Sequence, residues 1–358
     1  MKVEKLSKSS LIFREIIEKN TRNNLTLSVL LIRGLIRYSV RIFSLNLSKI
    51  LLKQYLNLYE ILFFKKKLYE KYLLKINIFR IETKIFLANK SLNEYVKKKI
   101  EWSNFILRNS LIEEEKKAAS QYLNILKLYR FYDAKKILVR SNKIKKIKNH
   151  KSKSIKKFYI YGPNSILPPD SKYSKYTIVF TKPTIHDISL FSNSILILNF
   201  YTSNQLTKKD KNFLLKKYDK IYLSGYKKKI KPPFKKFDIG IGGHIASPMA
   251  LGRILNKFSK MYPNSEFVIE GFDFYMSKNS YSGSILTALP LNFKLLTERL
   301  ICESLFDHDP LFNFLYVKNI ISRLRIKNSQ KFLQIMNLSG NQYLTKLCTL
   351  RNFHSLMN

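Results

Sequence analysis

The sequence predicts an α/β fold in which a mostly parallel sheet follows an all-α N-terminal region. From about residue 158 onward, short apolar runs bounded by polar turns alternate with helical patterns. Before that point Gly and Pro are nearly absent, and Leu, Ile and Lys recur at helical spacing. A lysine-rich run at 144–157 separates the two textures. We therefore expect a helical domain over residues 1–150 and a sheet domain over residues 151–358.

The charge is the least ordinary property of the composition. The 358 residues include 66 Lys and Arg against 24 Asp and Glu, which gives a formal net charge of +42. Two explanations stay open at this stage. One is the codon bias of an AT-rich genome, and the other is an anionic partner such as nucleic acid, a membrane surface or an anionic substrate.

The cysteines and the N-terminus bear on the compartment. Cys302 and Cys348 provide neither a disulfide framework nor zinc-ligand spacing, so a reducing compartment is expected. Residues 1–20 lack the apolar core and cleavage site of a signal peptide. No stretch of about 18 residues is both apolar and free of charged residues, so no membrane-spanning helix is expected. These patterns predict a cytoplasmic protein, with peripheral contact to the inner face of the cell membrane as an option.

The most apolar part of the N-terminal region is Leu25–Leu52. Arg33, Arg37 and Arg41 fall four residues apart and form one basic stripe along a helical face. Such a helix can lie in a membrane interface, or it can pack in an all-α domain with its arginines in solvent. Further along, residues 115–145 suggest a helical hairpin with small residues at its contacts. These small residues are Ala118, Ala119 and Ala134.

Five segments in the second half have strand character, and helical patterns separate several of them. They are Phe158–Tyr161, Tyr176–Phe180, Ser194–Asn199, Lys220–Leu223 and Glu266–Gly271. The helix predicted at Pro248–Lys260 follows the glycine-rich stretch Gly240–Ser247. This stretch fits neither the dinucleotide-binding fingerprint nor a Walker loop. Ser247 is positioned to cap that helix, and its hydroxyl could also contact a phosphate.

The stretch Glu266–Ser282 organises the predicted site. A buried strand at its start delivers Asp273 and Tyr275 beyond its carboxyl end, where open α/β sheets bind their ligands. Because these two residues stand two apart, we expect their side chains to point the same way in an extended chain. Tyr281 follows six residues after Tyr275.

The tripeptide Asp307-His308-Asp309 admits two interpretations. Its two carboxylates could hold a divalent metal ion on a diphosphate, as a D-x-D motif does in many transferases of nucleotide sugars. Alternatively, His308 acts as a general base near neutral pH. Asp309 and Pro310 are suited to the N-cap and first turn of a helix predicted at Leu311–Arg325.

Taken together, residues from about 158 to 345 resemble bacterial sialyltransferases of the Campylobacter lipooligosaccharide type, which use CMP-sialic acid. The clearest match is GFDFYMSKNSY at Gly271–Tyr281, followed by His308 ahead of an amphipathic helix. The turn at Tyr161–Ser165, the strand ending in Asn199 and the Ala246-Ser247 pair also resemble family features.

The resemblance implies a Rossmann-like domain of the variant GT-A type and an inverting transfer that needs no metal ion or other cofactor. His308 would be the general base, and Tyr275 and Tyr281 would donate hydrogen bonds to the departing CMP phosphate. The residues implied in donor binding are Gly162, Asn164, Ser165, Asn199, Ser247, Gly271 and Asp273. Nearby lysines would favour an anionic donor, and the acceptor would be a cell-surface glycan or glycolipid.

The sequence also departs from the family pattern. The first turn reads Tyr-Gly-Pro-Asn-Ser, the second strand runs into Phe180–Thr184, and Pro248 stands where the family has glycine. These departures concern the identity of the donor, which could be another CMP-activated nonulosonic acid. The alternative from another functional class is a basic nucleic-acid-binding protein with an α/β core. Its support is the charge of +42 with lysines interleaved among Tyr and Phe. The transferase interpretation expects no nucleic acid partner.

Overall fold

The structure is a computed structural model of the chain. It describes residues 49, 50, 53, 68–134, 155–165, 167–184, 186–199, 206–224, 233–238, 249–276, 302, 305 and 309–353. Contacts between residues divide the chain into two compact units. One comprises Met1–Ser91 with His354–Asn358, and the other comprises Leu92–Phe353.

The first unit contributes helix α1, Leu68–Ala88. Within this unit, Lys49 lies 3.5 Å from the carboxylate of Glu82. The stretch Leu25–Leu52, for which contact with a membrane was one of two interpretations, lies outside the described residues except for its positions 49 and 50. Its three arginines, Arg33, Arg37 and Arg41, are not among the described positions.

The second unit contains a seven-stranded, all-parallel sheet, which confirms the predicted α/β class and its Rossmann-like character. The strands are β1 Lys157–Tyr161, β2 Thr177–Phe180, β3 Ser194–Asn199, β4 Lys220–Ser224, β5 Lys235–Asp238, β6 Glu266–Glu270 and β7 Arg325–Ile326. Their order is β5-β4-β3-β2-β1-β6-β7. The chain therefore moves outward from β1 to β5 and then returns to the other side of β1.

Both faces of the sheet are covered, as the continuous apolar strands require. Tyr159, Phe180 and Leu196 lie in the core on one face, together with Leu214 of helix α4, Lys208–Lys217. On the other face the ring of Phe158 stacks on Phe258, with 4.7 Å between centroids. Phe258 belongs to helix α5, Ala250–Met261. The C-terminal helices are α6 Pro310–Ile321, α7 Gln330–Met336 and α8 Gly340–Leu350.

The two outermost strands were not predicted. Strand β5 reads Lys-Lys-Phe-Asp, and the basic loop expected at 227–236 runs into it. Charged residues are common on edge strands, where they discourage pairing with another chain, and they hide the strand pattern. Strand β7 has two residues, paired with Glu266 and Phe267 of β6. For that reason the helix expected to reach Arg325 ends at Ile321.

Helices α2, Leu92–Asn109, and α3, Glu113–Ala134, form an antiparallel pair. Of the hairpin expected over 115–145, residues 115–134 belong to one helix without Gly or Pro, and residues 135–145 lie outside the described residues. Ala118 and Ala119 are buried, as expected of small contact residues. Both helices contact α8, and α3 also contacts α6, so the pair belongs to the same unit as the sheet. The domain boundary near residue 150 stays a prediction.

Candidate functional site

The strand order defines a switch point between β1 and β6. The connection from β1 leads toward β2, whereas β6 begins the part of the sheet on the other side of β1. Parallel α/β sheets bind ligands outside the carboxyl ends of their strands at such a point. Tyr161 pairs with Glu270 at the last position of the two strands. The residues that follow are Gly162–Ser165 and Gly271–Tyr275, which are the segments that the sequence singled out.

Two glycines let these segments approach closely. Gly162 donates its amide to the carbonyl of Glu270 at 2.8 Å, and Asn164 donates its amide to the carbonyl of Gly271 at 3.1 Å. A Cβ atom on Gly162 would lie 2.4 Å from the carbonyl oxygen of Gly271. Gly271 has a φ of +70°, and a Cβ atom there would lie 2.0 Å from Ser165 Oγ. Only glycine fits at either position without displacing its neighbours.

Asp273 joins the two segments through its side chain. Its Oδ1 accepts a hydrogen bond from Asn164 Nδ2 at 2.6 Å and another from the amide of Tyr275 at 3.0 Å. The structure thus brings together five of the predicted donor-binding residues. They are Gly162, Asn164, Ser165, Gly271 and Asp273. Oδ1 of Asp273 therefore connects the two segments, a structural role that the sequence did not reveal.

Two hydroxyl groups near this edge are buried without a hydrogen-bond partner in the part of the chain that the structure describes. They are Ser165 Oγ, after β1, and Thr181 Oγ1, directly after the neighbouring strand β2. Ser165 is 4% exposed, and its hydroxyl lies against Gly271. Buried hydroxyls normally have partners, so unpaired ones beside a switch point are suited to a ligand.

Lys182 follows Thr181 at the same edge, because β1 and β2 end in register at Tyr161 and Phe180. Burial lowers the pKa of the Lys182 ammonium from 10.5 to about 8. A partly desolvated ammonium binds an anion more strongly than an exposed one. The resemblance implies that nearby lysines assist an anionic donor without identifying one, and Lys182 is one candidate among the described residues.

The segment after Asp273 is not extended. Phe274 and Tyr275 have φ values of 50° and 65°, so the expectation that Asp273 and Tyr275 point the same way in an extended chain is wrong. Left-handed conformations of aromatic residues are strained and persist only where the surroundings impose them. Here two side chains impose the conformation, one from within α8 and one from the residue directly after it. Arg351 donates two hydrogen bonds to the carbonyl of Tyr275 at 3.1 and 3.3 Å, and Tyr343 donates to the carbonyl of Phe274 at 3.0 Å.

Tyr275, which the resemblance implies as a hydrogen-bond donor to the CMP phosphate, is buried, with 4% of its surface exposed. Burial, followed by the charges of Asp273 and Asp309, raises the pKa of Tyr343 well above its ordinary value. Tyr343 therefore stays protonated and keeps donating its hydrogen bond.

Of the remaining predicted site residues, only Asn199 lies among the described positions. Asn199 is the last residue of β3, paired with Ser224 of β4 at the same carboxyl edge. Ser247, Tyr281 and His308 lie outside the described residues. Helix α5 has Met249 as its N-cap, without a side-chain hydrogen bond, so the N-cap position expected at Ser247 falls two residues later.

Asp309 is the N-cap of α6, as predicted, with its carboxylate accepting from the amide of Phe312 at 3.0 Å. It also forms an ion pair with Lys99 Nζ at 2.7 Å. These contacts argue against Asp309 as a ligand in the D-x-D interpretation. Over the described residues, no three side chains of His, Cys, Asp or Glu are grouped as a metal site would require.

Asn313 is a residue that the sequence analysis missed. Its Oδ1 accepts from the amide of Met249 at 2.6 Å, and its Nδ2 donates to the carbonyl of Asp309 at 3.2 Å. One buried amide therefore ties the start of α5 to the start of α6. Ser247 lies two residues before Met249 and His308 lies one residue before Asp309 in the sequence. An asparagine inside an apolar helix, FNFLYV, was the available signal.

None of the described helices is both long enough and apolar enough to cross a membrane. No protein-family model matches the chain, and no match was found among curated proteins or solved structures.

Proposed function

We propose that the protein is an inverting glycosyltransferase that moves sialic acid or a related nonulosonic acid from a CMP-activated donor to a cell-surface glycan. The observation that carries the proposal is the meeting of Gly162–Ser165 and Gly271–Asp273 at the β1/β6 switch point. These two segments also carry the resemblance to CMP-sialic-acid-dependent enzymes. The unpaired hydroxyls and Lys182 add groups suited to an anionic ligand.

In this proposal the nucleotide lies over the two glycines, where backbone can approach it closely. Asn164, Ser165 and Asp273 hold it with Asn199 and Ser247, and Lys182 faces an anionic group. Asp273 already fixes Asn164 through the 2.6 Å hydrogen bond, so the amide is oriented before the ligand arrives. Such orientation lowers the entropy lost on binding.

The reaction would be a single displacement at the anomeric carbon. The acceptor hydroxyl oxygen forms a bond to that carbon while the bond from the carbon to the CMP phosphate oxygen breaks on the opposite face. His308 takes the proton of the acceptor hydroxyl. Tyr275 and Tyr281 donate hydrogen bonds to the phosphate, where negative charge develops as CMP departs. The strained backbone of Tyr275, held by Arg351, supports a fixed donor.

Contact of Leu25–Leu52 with the inner face of the membrane would bring the enzyme to a lipid-linked acceptor. In this proposal the reaction needs neither a metal ion nor another cofactor.

The test is release of CMP from CMP-sialic acid, first in water and then with a panel of oligosaccharide acceptors. We expect the His308→Ala variant to lose release while it retains CMP binding, and the His186→Ala variant to serve as the control with full activity. EDTA should change the rate little. Full activity of His308→Ala would overturn the assignment of the base. Strict dependence on Mn²⁺ or Mg²⁺ would favour the metal interpretation of Asp307 and Asp309.

A further inference from the structure

A buried polar cluster surrounds the residue at the start of α6. Asp309 and Lys99 are 1% and 4% exposed, and their charged groups lie 2.7 Å apart. Oδ2 of Asp309 also accepts from Tyr122, and Oδ1 accepts from the amide of Phe312 and, at 3.4 Å, from Tyr95. Both carboxylate oxygens thus have two partners each.

Most of these contacts go beyond capping a helix. An N-cap needs one bond from the side chain to a backbone amide, and here that bond comes from Phe312. The ammonium of Lys99 and the hydroxyls of Tyr95 and Tyr122 come from α2 and α3, about 190 to 210 residues earlier in the chain. Lys99 Nζ also lies 4.8 Å from the ring centroid of Trp102. The helical pair therefore supplies three side chains that contact the Asp309 carboxylate.

The backbone at Asp309 is strained. Its φ is 44° and its ψ is 91°, although it precedes Pro310 and is not glycine. Such a conformation persists where several contacts impose it, and it occurs often at functional sites. A buried ion pair is not by itself an efficient source of stability, because desolvating two charges offsets much of their attraction. Fixing a conformation is the better explanation for this one.

The chain that leads into Asp309 is the one that bears the proposed general base. His308 precedes Asp309 in the sequence. The carbonyl of Asp309 accepts from the amide and the side chain of Asn313, which also holds Met249. Side chain and carbonyl of Asp309 are therefore both fixed, one by α2 and α3 and the other by Asn313.

We infer that Lys99 is a positioning residue, whose buried ion pair with Asp309 fixes the chain at the start of α6 and with it the direction from which His308 enters the active site. The catalytic consequence rests on the proposed function. The structural consequence, a fixed backbone at Asp309, does not. In catalysis a displacement of about 1 Å can lower a rate by roughly a hundredfold, so modest loosening has a measurable effect.

The test removes both charges together, in the double variant Lys99→Met with Asp309→Asn. Removing Lys99 alone would leave a buried carboxylate without its counter-ion and would threaten folding. Asn retains the N-cap bond and tolerates positive φ. The matched control is Lys116→Met, which removes an exposed ion pair to Glu113 from the same helical pair.

Three readouts separate positioning from a merely structural role. For the double variant we expect CMP affinity and the KM of the donor within about twofold of wild type, and kcat lower by about tenfold or more. We also expect the rate at which diethyl pyrocarbonate modifies His308, measured by peptide mass spectrometry, to change several-fold while that of His186 does not. The Lys116→Met variant should match wild type throughout.

An unchanged kcat together with an unchanged rate of His308 modification, in a double variant that melts cooperatively, would overturn the inference. If the wild-type protein neither binds CMP nor releases it from the donor, the proposed function fails. The modification rate of His308 relative to His186 then still decides whether Lys99 and Asp309 fix the chain before α6.

Discussion

The amino and carboxyl edges of the sheet, at which its parallel strands begin and end, differ in how their polar groups are used. At the amino edge, Glu266 accepts from Tyr176 and from Lys327, each at 2.7 Å. Ser194 and Asp219 likewise bond to each other there, with 2.8 Å between Ser194 Oγ and Asp219 Oδ2. At the carboxyl edge, Ser165 Oγ and Thr181 Oγ1 are buried without partners among the described residues.

Backbone strain follows the same division. Of the six described residues with positive φ, three lie just beyond the carboxyl end of β6. They are Gly271, Phe274 and Tyr275. The same strands and the same backbone pairing support both edges, so the sheet itself does not require this strain. Strain and unpaired polar groups gathered at one edge are typical of a binding site, whereas the opposite edge is built for stability.

The largest effect is expected from Gly271→Ala. The added Cβ atom would lie 2.0 Å from Ser165 Oγ at a φ of +70°. Overpacking and strain together should lower the free energy of unfolding by roughly 2–4 kcal/mol. A thermal melt should show a fall of roughly 5–15 °C. Gly252→Ala in α5 is the control, because its Cβ would meet a tyrosine ring rather than backbone, and its loss should be smaller. Equal losses would contradict the special role of Gly271.

Two serine substitutions should separate an effect on stability from an effect on ligand binding. Ser194→Ala removes satisfied hydrogen bonds at the amino edge and should lower the free energy of unfolding by roughly 1–3 kcal/mol without affecting CMP affinity. Ser165→Ala removes an unpaired hydroxyl and should leave stability within about 0.5 kcal/mol, while CMP affinity falls by about three- to tenfold. Chemical denaturation and calorimetric titration measure the two quantities. A loss of CMP affinity in Ser194→Ala together with a loss of stability in Ser165→Ala would contradict the difference between the two edges.

The pH dependence of CMP binding isolates Lys182. Because burial lowers its pKa to about 8, the ammonium loses its charge, and CMP affinity should fall, as pH rises from about 7 to above 8. Lys182→Met should bind CMP about tenfold more weakly at pH 7. Lys182→Arg, which stays charged, should bind with little change over this range. A wild-type affinity that is constant to pH 9.5 would remove Lys182 from the site.

Stability without ligand should have the opposite pH dependence. The unfolded chain binds a proton at Lys182 up to about pH 10.5, whereas the folded chain releases it near 8. Lys182 therefore makes the free energy of unfolding rise with pH between these values. The wild type minus Lys182→Met difference in a denaturation series measures this contribution. A difference that falls with pH would contradict the burial of the ammonium.

The smallest effect is expected at the amino edge, from Lys327→Met. The lysine side chain is 61% exposed, so its ion pair with Glu266 is screened by solvent. Its loss should change the free energy of unfolding by less than about 1 kcal/mol and leave CMP affinity unaltered. An altered CMP affinity here would show that binding is not confined to the carboxyl edge.

The central part of the fold was predictable because it is apolar. Strands β1, β2, β3, β4 and β6 are short runs of Val, Ile, Leu, Phe and Tyr, which read as buried strands. The edge strands β5 and β7 were missed, since one is rich in lysine and the other has only two residues. Sequence patterns describe local burial, and these strands form through pairing with their neighbours.

The candidate site was predictable in its two main segments, because glycine and polar residues after an apolar run mark the end of a buried strand. Its supports were not predictable. Lys99 and Arg351 are distant in sequence from the residues that they hold, and each occurs in an ordinary helical or C-terminal context. Asn313 stands out as a polar residue in an apolar helix, but its partner Met249 lies 64 residues away and could not be inferred from that pattern. The left-handed turn at Phe274 and Tyr275 was also hidden, because aromatic residues give no signal for positive φ.

The most direct test of the central claim is the melting temperature of the purified chain with CMP, compared with UDP, GDP and a short oligonucleotide. A ligand that binds only the folded state raises the melting temperature by mass action. We predict a rise with CMP that Ser165→Ala diminishes, and little change with UDP or GDP. No rise with CMP, together with a rise with the oligonucleotide that salt abolishes, would contradict this account and favour a nucleic-acid-binding protein.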